Sequence, residues 1–505
     1  MAAPPSWCGS AQRRASARRS PPGTPGTCTG AGSGVVVESV EAQREDGQRP
    51  SSPLLRRIRS TRALLAAWQA VEANTRTSGS TEIRAQVQKI RVDLAKFLRD
   101  LQTDLRSGQA IFELQHGYAR RKRPGSDQRR GIVVAPIRNR VLQRAILDVL
   151  QTREQSIRRR LGTLPDLVET PTSVGGIPGR GAPDAVRLIR DAMRSGAGYF
   201  VRSDISDFFT RVPRDTIVEH VARETGDSAF TAMLEAALRT DLANEVELRE
   251  RGWRHYFPGE TIGVPQGSSL SAWCGNLLLH DFDREMNGPG LTTIRYVDDF
   301  VVLASDRRRA RQAFERGLRI LANHRLSARN PFEVIDPKKA AHGTTRGGFD
   351  FLSYAIRSDR VAPSGDAKAS LLKMVTDTIR KAKEEMGGAE GDRRGHERRY
   401  AQTLVLLDDQ IHGWGHSFRE TTNRVEFHQL DARITTELER FENWFHRRRR
   451  EVADARKARR LLGVAVLADI PSPGSSSSDA QHADGQISHP SRVPAGIWRD
   501  PNSRR

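Results

Sequence analysis

Three aspartates stand where apolar runs end. Residues 292–304 read Thr-Thr-Ile-Arg-Tyr-Val-Asp-Asp-Phe-Val-Val-Leu-Ala, which sets Asp298 and Asp299 side by side between β-branched and aromatic stretches. Those stretches predict two strands, and the short polar tip predicts a hairpin. Adjacent carboxylates repel, and a cation between them relieves the repulsion. Hard divalent ions such as Mg²⁺ take such oxygen ligands. An Asp-rich turn is common by itself, but residues 199–209, Tyr-Phe-Val-Arg-Ser-Asp-Ile-Ser-Asp-Phe-Phe, add Asp204 at the end of another apolar strand. The aromatic pair Phe208 and Phe209 follows it.

Between the two carboxylate segments lies Gly263-Val264-Pro265-Gln266-Gly267-Ser268-Ser269-Leu270-Ser271, a glycine-flanked turn opening a helical stretch. This order of an aspartate strand, a Pro-Gln-Gly turn and Tyr-x-Asp-Asp resembles reverse transcriptases. The nearest likeness is to the bacterial group of group II intron maturases, retron enzymes and phage-defence enzymes. The resemblance covers roughly residues 85–460.

It implies an α+β right-hand polymerase, with fingers and palm built on an antiparallel palm sheet plus helices, and an α-helical thumb. It also implies an RNA-directed DNA polymerase that extends a DNA or RNA primer on an RNA template with dNTPs. Two Mg²⁺ ions, with Mn²⁺ as substitute, then stabilise the attacking and leaving oxygens. Asp204 and Asp298 are the expected metal-bridging pair, and Asp299 supports the ion nearer the primer. Phe209, five residues past Asp204, sets a ring beneath the nucleotide sugar that leaves no room for a 2′-hydroxyl; Phe208 reads as core. Gln266 offers a donor and acceptors to the nucleotide and template pocket, and Gly267 permits close backbone approach. Lys339, or equally Lys338, stands near the family's lysine that protonates pyrophosphate.

The elements that must position these groups follow the same pattern. Residues 118–150 read as a basic β-hairpin with a Pro-Gly loop and then a helix, similar to the fingers hairpin whose arginine grips the triphosphate. Arg130, six residues before Pro136, best matches that arginine, and Arg129 is the alternative. Residues 173–186, which include Arg180, form a Gly-rich loop before a helix, and such an N-terminus can hold phosphate. Val87, Ile90, Leu94, Phe97, Leu98, Leu101 and Leu105 recur at helical spacing and predict core. The run Gly348-Phe-Asp-Phe-Leu-Ser-Tyr354 is similar to the strand pair that closes the palm, with Ser353 where the family carries Gly. His412, Trp414, Leu430, Asp431, Trp444 and Phe445 resemble thumb positions, and the aromatics read first as core. Arg447–Arg450 reads as a backbone contact for nucleic acid or as solvated charge.

The expected layout is a disordered segment at 1–53, a helical region at 54–117, fingers and palm at 118–360, a helical thumb at 361–470 and a disordered tail at 471–505.

The chain has 505 residues and a formal net charge of +21. Residues 1–53 contribute +2 and residues 471–505 contribute +1, so +18 lies between them. A basic body of this size points to a polyanionic partner. The three cysteines, Cys8, Cys28 and Cys274, have no zinc or disulfide spacing, which predicts a reducing, cytoplasmic setting. No apolar run approaches the ~18 residues of a membrane span, and the basic N-terminus lacks the apolar stretch of a secretory signal. The sequence shows no internal repeat and no Cys-x-x-Cys pair after residue 460 of the kind many intron maturases carry. A domesticated enzyme in phage defence or a retron-like system is the expected role, and a dedicated non-coding RNA would then be a further partner. The alternative is a group II intron maturase or an RNA-binding scaffold in which polymerisation is secondary.

Overall fold

The computed structural model describes residues 52–75, 80–107, 112–122, 125, 127–333, 339–387 and 399–467. The terminal stretches expected to be disordered lie outside these residues, apart from Ser52 and Pro53, as do Cys8, Cys28 and Lys338.

Among the described residues, β1 (His116–Arg121) and β2 (Arg129–Val134) form the basic hairpin. A four-stranded antiparallel sheet comprises β3 (Tyr199–Asp204), β4 (Leu291–Tyr296), β5 (Asp299–Ala304) and β6 (Ala341–Thr344), in the order β4-β5-β3-β6. A smaller antiparallel sheet holds β7 (Phe349–Phe351), β8 (Tyr354–Ile356) and β9 (Val361–Pro363).

Both faces of β5 are buried after Asp299, and its run Phe-Val-Val-Leu-Ala is wholly apolar. Side chains alternate across a strand. Val201, Phe300, Val302 and Ala304 therefore enter one core, with helix Ile137–Leu150 and the N-terminal helices. Phe200, Val301 and Leu303 enter a second core, with helix Ala182–Arg194 and the small sheet. Burial on both faces fixes the register, since a slip of one residue would exchange the two sets.

The apolar stripe 87–105 is core as its spacing implies, but it is carried by two helices, Thr81–Val92 and Leu94–Ser107, broken at Asp93 (φ −134°, ψ 60°). Helices Gly365–Gly387, Tyr400–Ser417, Val425–Glu451 and Ala455–Leu462 share a third core. There Tyr400 stacks on Phe445 at 4.0 Å, and Trp414 packs against Phe418 and Phe427. These aromatics are packing residues. In the Arg447–Arg450 run, Arg448 donates to the Met386 carbonyl, while Arg447 and Arg449 are exposed. Cys274 is buried in helix Ser271–Leu278, and burial pushes its thiol up to about 12, which leaves it unreactive. Among the described residues no helix is long and apolar enough to cross a membrane.

Candidate active site

β4 and β5 are joined by a two-residue turn, because Tyr296 pairs with Asp299 and leaves Val297 and Asp298 at the tip. On the other side of β5, Asp204 pairs with Asp299 across the β3–β5 register. The Ile205 N–H donates to the Asp298 carbonyl at 3.0 Å, which ties the tip to the end of β3. Three aspartates from two distant segments thus meet at one end of the sheet.

Their charges interact. Burial, and then the carboxylate of Asp204, hold Asp298 above the usual carboxylate range, against the lowering pull of Arg130 and Arg295. Asp299 is pushed up to about 6 by burial first and then by Asp298 and Asp204. Asp299 presents a face to solvent, yet protein atoms crowd the rest of it, so its charge is still poorly solvated.

The Pro-Gln-Gly turn is laced to both neighbours. Val264 N–H donates to the Phe209 carbonyl at 2.7 Å, and Val133 N–H of β2 donates to the Gln266 carbonyl at 2.8 Å. Gly267 has φ +121°, and a Cβ there would lie 2.5 Å from the Val133 carbonyl oxygen. Phe208 is buried against Gly275, and Phe209 beside it stays half-buried at the site.

The two candidate arginines of β2 part company. Arg129 lies over the Trp253 ring, 4.1 Å from its centroid, and donates to the Ala119 carbonyl. Arg130 is exposed and acts electrostatically on both Asp298 and Asp299. Of the two, Arg130 is the one whose charge acts on the carboxylates.

Two other basic residues were not legible in the sequence. Arg295, wholly buried, donates to Asp283 (2.7 and 2.5 Å), Asn276 (3.1 Å), Ser173 (2.8 Å) and the Val297 carbonyl (2.8 Å). Position 295 reads as one more residue of a strand, and nothing in its local pattern marks a hub. Arg329 reaches Asp204, with Nε 3.1 Å from Oδ1. Lys339 is half-buried just before β6.

The Gly-rich loop packs against the β4–β5 turn. Arg180 spends its donors on the Ser173, Thr170 and Val168 carbonyls. The Asp184 carboxylate accepts from Gly181 N–H at 2.9 Å, capping the start of helix Ala182–Arg194. Gly175 presses on the β4–β5 turn, where a Cβ would lie 2.6 Å from Val297 N.

Among the described residues no three Asp, Glu, His or Cys side chains converge closely enough to enclose an ion by themselves. The donors nonetheless suit Mg²⁺, which binds one or two carboxylates and completes its shell with water and substrate phosphate. Asp204 Oδ1 is buried and accepts no hydrogen bond. The crowded charge at Asp298 and Asp299 is of the kind a cation relieves.

Residues 121–355 match the family model of the reverse transcriptase (RNA-dependent DNA polymerase). They are a reverse transcriptase domain. The reverse transcriptase domain begins at the end of β1 and closes within β8, so it contains all three aspartates. The chain is 22% identical over 264 residues to protein YkfC of Escherichia coli, covering 45% of this chain and 63% of that protein. It is 28% identical over 112 residues to an uncharacterized 91 kDa protein in cob intron of Schizosaccharomyces pombe, covering 22% of this chain and 13% of that protein. It thus spans less than two thirds of either relative. Among solved structures, a chain of a partial Cas6-RT-Cas1–Cas2 complex is similar at a TM-score of 0.30 and 22% identity, covering 54% of this chain and 42% of that one. A TM-score that low adds no detail to the site.

Proposed function

We propose that the protein is an RNA-directed DNA polymerase that extends a primer with dNTPs. The observation that carries this reading is the meeting of Asp204, Asp298 and Asp299 at one end of the sheet, inside a reverse transcriptase domain. In this reading the four-stranded sheet and its helices are the palm, β1 and β2 belong to the fingers, and the four C-terminal helices form the thumb.

Bound divalent ions would supply charge stabilisation for the attacking 3′-oxygen and the departing pyrophosphate. Asp204 and Asp298 are the residues to hold them, with Asp299 in support. Arg130, whose charge acts on the same carboxylates, would take the negative triphosphate, as bidentate arginines do. The Phe209 ring, held by its backbone bond to Val264, would lie against the sugar and exclude a 2′-hydroxyl. Gln266 and Gly267 would line the pocket beside β2. The chain's own contribution is position and electrostatics.

The deciding experiment is primer extension by the full chain on an RNA template with Mg²⁺, comparing dNTPs with NTPs and wild type with Asp298→Ala. Template-dependent DNA synthesis in the wild type, abolished in a folded mutant, is the expected result. Synthesis by the mutant at the wild-type level would refute the site.

For biological role we place the enzyme in phage defence or a retron-like system, with a dedicated non-coding RNA. The alternative is a maturase or RNA scaffold; the relative named for a cob intron favours it over its short matched span. RNA-dependent function that survives an Asp298→Ala, Asp299→Ala double mutant would decide for that alternative.

A further inference from the structure

Segment 327–329 is laid against the end of β3. Ser206 N–H donates to the Ser327 carbonyl (2.8 Å), Ile205 bridges Ala328, and Ser203 Oγ donates to the Arg329 carbonyl (2.6 Å). Arg329 N–H donates back to the Asp204 carbonyl at 3.3 Å. The Arg329 backbone is therefore pinned beside Asp204, while its side chain is 42% exposed.

The guanidinium lies 3.1 Å from Asp204 Oδ1, but without hydrogen-bond geometry. The contact is an ion pair held by charge, with no directional bond to break. The other cations near the aspartates are differently engaged. Arg295 is buried and fully bonded, Arg202 donates to the Asp350 carbonyl, and Arg130 acts from β2. Among the described residues Arg329 alone makes an ion pair with one of the three carboxylates. The Arg329 charge beside Asp204 opposes a divalent ion at the same carboxylate, so the two cations compete for it. Once displaced, the guanidinium would swing on a fixed backbone beside the carboxylates, where a divalent ion completes its shell with substrate phosphate.

We propose that Arg329 is the counter-ion of Asp204 that a divalent cation must displace, and that the displaced guanidinium then binds the triphosphate of the incoming nucleotide. The inference rests on the reading of Asp204 as a metal ligand.

The test is Mn²⁺ binding to the full chain without nucleotide, followed by electron paramagnetic resonance, for wild type, Arg329→Gln, Arg202→Gln and Asp204→Asn. Loss of a half-exposed ion-pair competitor should tighten Mn²⁺ binding by about fivefold in Arg329→Gln. Arg202→Gln should change it less, because it removes a nearby charge that does not touch Asp204. In primer extension at saturating Mg²⁺, Arg329→Gln should raise the KM for dNTP by about tenfold with kcat little altered. Unchanged or weaker Mn²⁺ binding in Arg329→Gln, or equal tightening in Arg202→Gln, overturns the competition. An unchanged KM overturns the phosphate contact. If Asp204→Asn loses Mn²⁺ while Arg329→Gln gains none, only this inference fails. If Asp204→Asn binds Mn²⁺ like wild type, the metal-site reading fails and takes the inference with it.

Discussion

Arg295 Nη1 donates a 2.8 Å hydrogen bond to the carbonyl of Val297, the turn residue directly before Asp298, whose φ is +63°. A β-branched residue in that region is strained. A two-residue hairpin with positive φ at its first central position ordinarily has Gly there. Here Arg295 fixes the carbonyl from below, and Gly175 closes on the amide from the side. Strain of this kind persists only where the surroundings over-determine it.

Arg295→Met should therefore cost about 3–5 kcal/mol, because it leaves Asp283 buried and unpaired. Asp283→Leu added to it should recover part of the loss in urea unfolding, by removing that charge. Polymerase activity should not recover, since the Val297 carbonyl still lacks its donor. A double mutant with wild-type kcat would sink the positioning role.

The strands that carry the three aspartates were legible because each rests on a local pattern, whereas the meeting of Asp204 with Asp298 and Asp299 was legible only through the resemblance. Two apolar runs around Asp298 and Asp299, and one before Asp204, read as strands whatever packs on them. The different settings of Arg129 and Arg130 were not local, since Arg129 packs on Trp253, which lies over a hundred residues away in the chain. Arg295 and Arg329 were missed for the same reason. Their partners, Asp283, Asn276 and Ser173 for one and Asp204 for the other, come together only in the fold. The packing role of the Gly-rich loop was not legible because glycine serves phosphate binding and close backbone packing equally well, and the contact of Gly175 with Val297 appears only in the fold.

Asp299 gives a pH dependence of definite sign. Its folded pKa is raised to about 6, above the ~3.9 of an unfolded aspartate. Folding thus favours the protonated form. The stabilisation from protonation is full below about pH 4 and is lost as pH rises through about 6. Asp299→Asn should consequently stabilise the metal-free protein at pH 7.5 and not at pH 4. Solvent screening at this open carboxylate limits the gain to about 1 kcal/mol. Urea unfolding with EDTA at the two pH values measures it, and an equal effect at both would contradict the shift. Mg²⁺-supported synthesis should slope the other way, falling as pH drops through about 6, with the fall moving lower as Mg²⁺ rises.

Gly267 tests the junction between the Pro-Gln-Gly turn and β2. Its φ of +121° excludes other residues sterically, and a Cβ would meet the Val133 carbonyl oxygen at 2.5 Å, a backbone atom that cannot step aside. Gly267→Ala should cost about 2 kcal/mol in strain. It should also push the turn off β2, misplacing Gln266 by a fraction of an ångström to an ångström, a displacement that can cost about a hundredfold in rate. A loss of stability without loss of kcat/KM would show that the turn does not shape the nucleotide pocket.

Ser353 offers a stabilising change. Phe351 pairs with Tyr354, so Leu352 and Ser353 form the turn of the β7–β8 hairpin, and both have positive φ, at +49° and +67°. Such a turn favours Gly or Asn, because a Cβ in the left-handed region crowds the next carbonyl. Ser353→Gly removes that crowding. The greater freedom of glycine in the unfolded chain offsets part of the benefit, leaving a gain of about 1 kcal/mol. The Ser353 carbonyl accepts from Ser364 N–H at 2.8 Å, one residue before helix Gly365–Gly387. The main-chain bond survives the substitution, so the relief should appear in global unfolding. Leu352→Gly should not match it, since Leu352 also packs against the second core. Thermal unfolding of the two single mutants separates the cases: a Ser353→Gly protein no more stable than wild type would mean that the turn carries no strain for glycine to release.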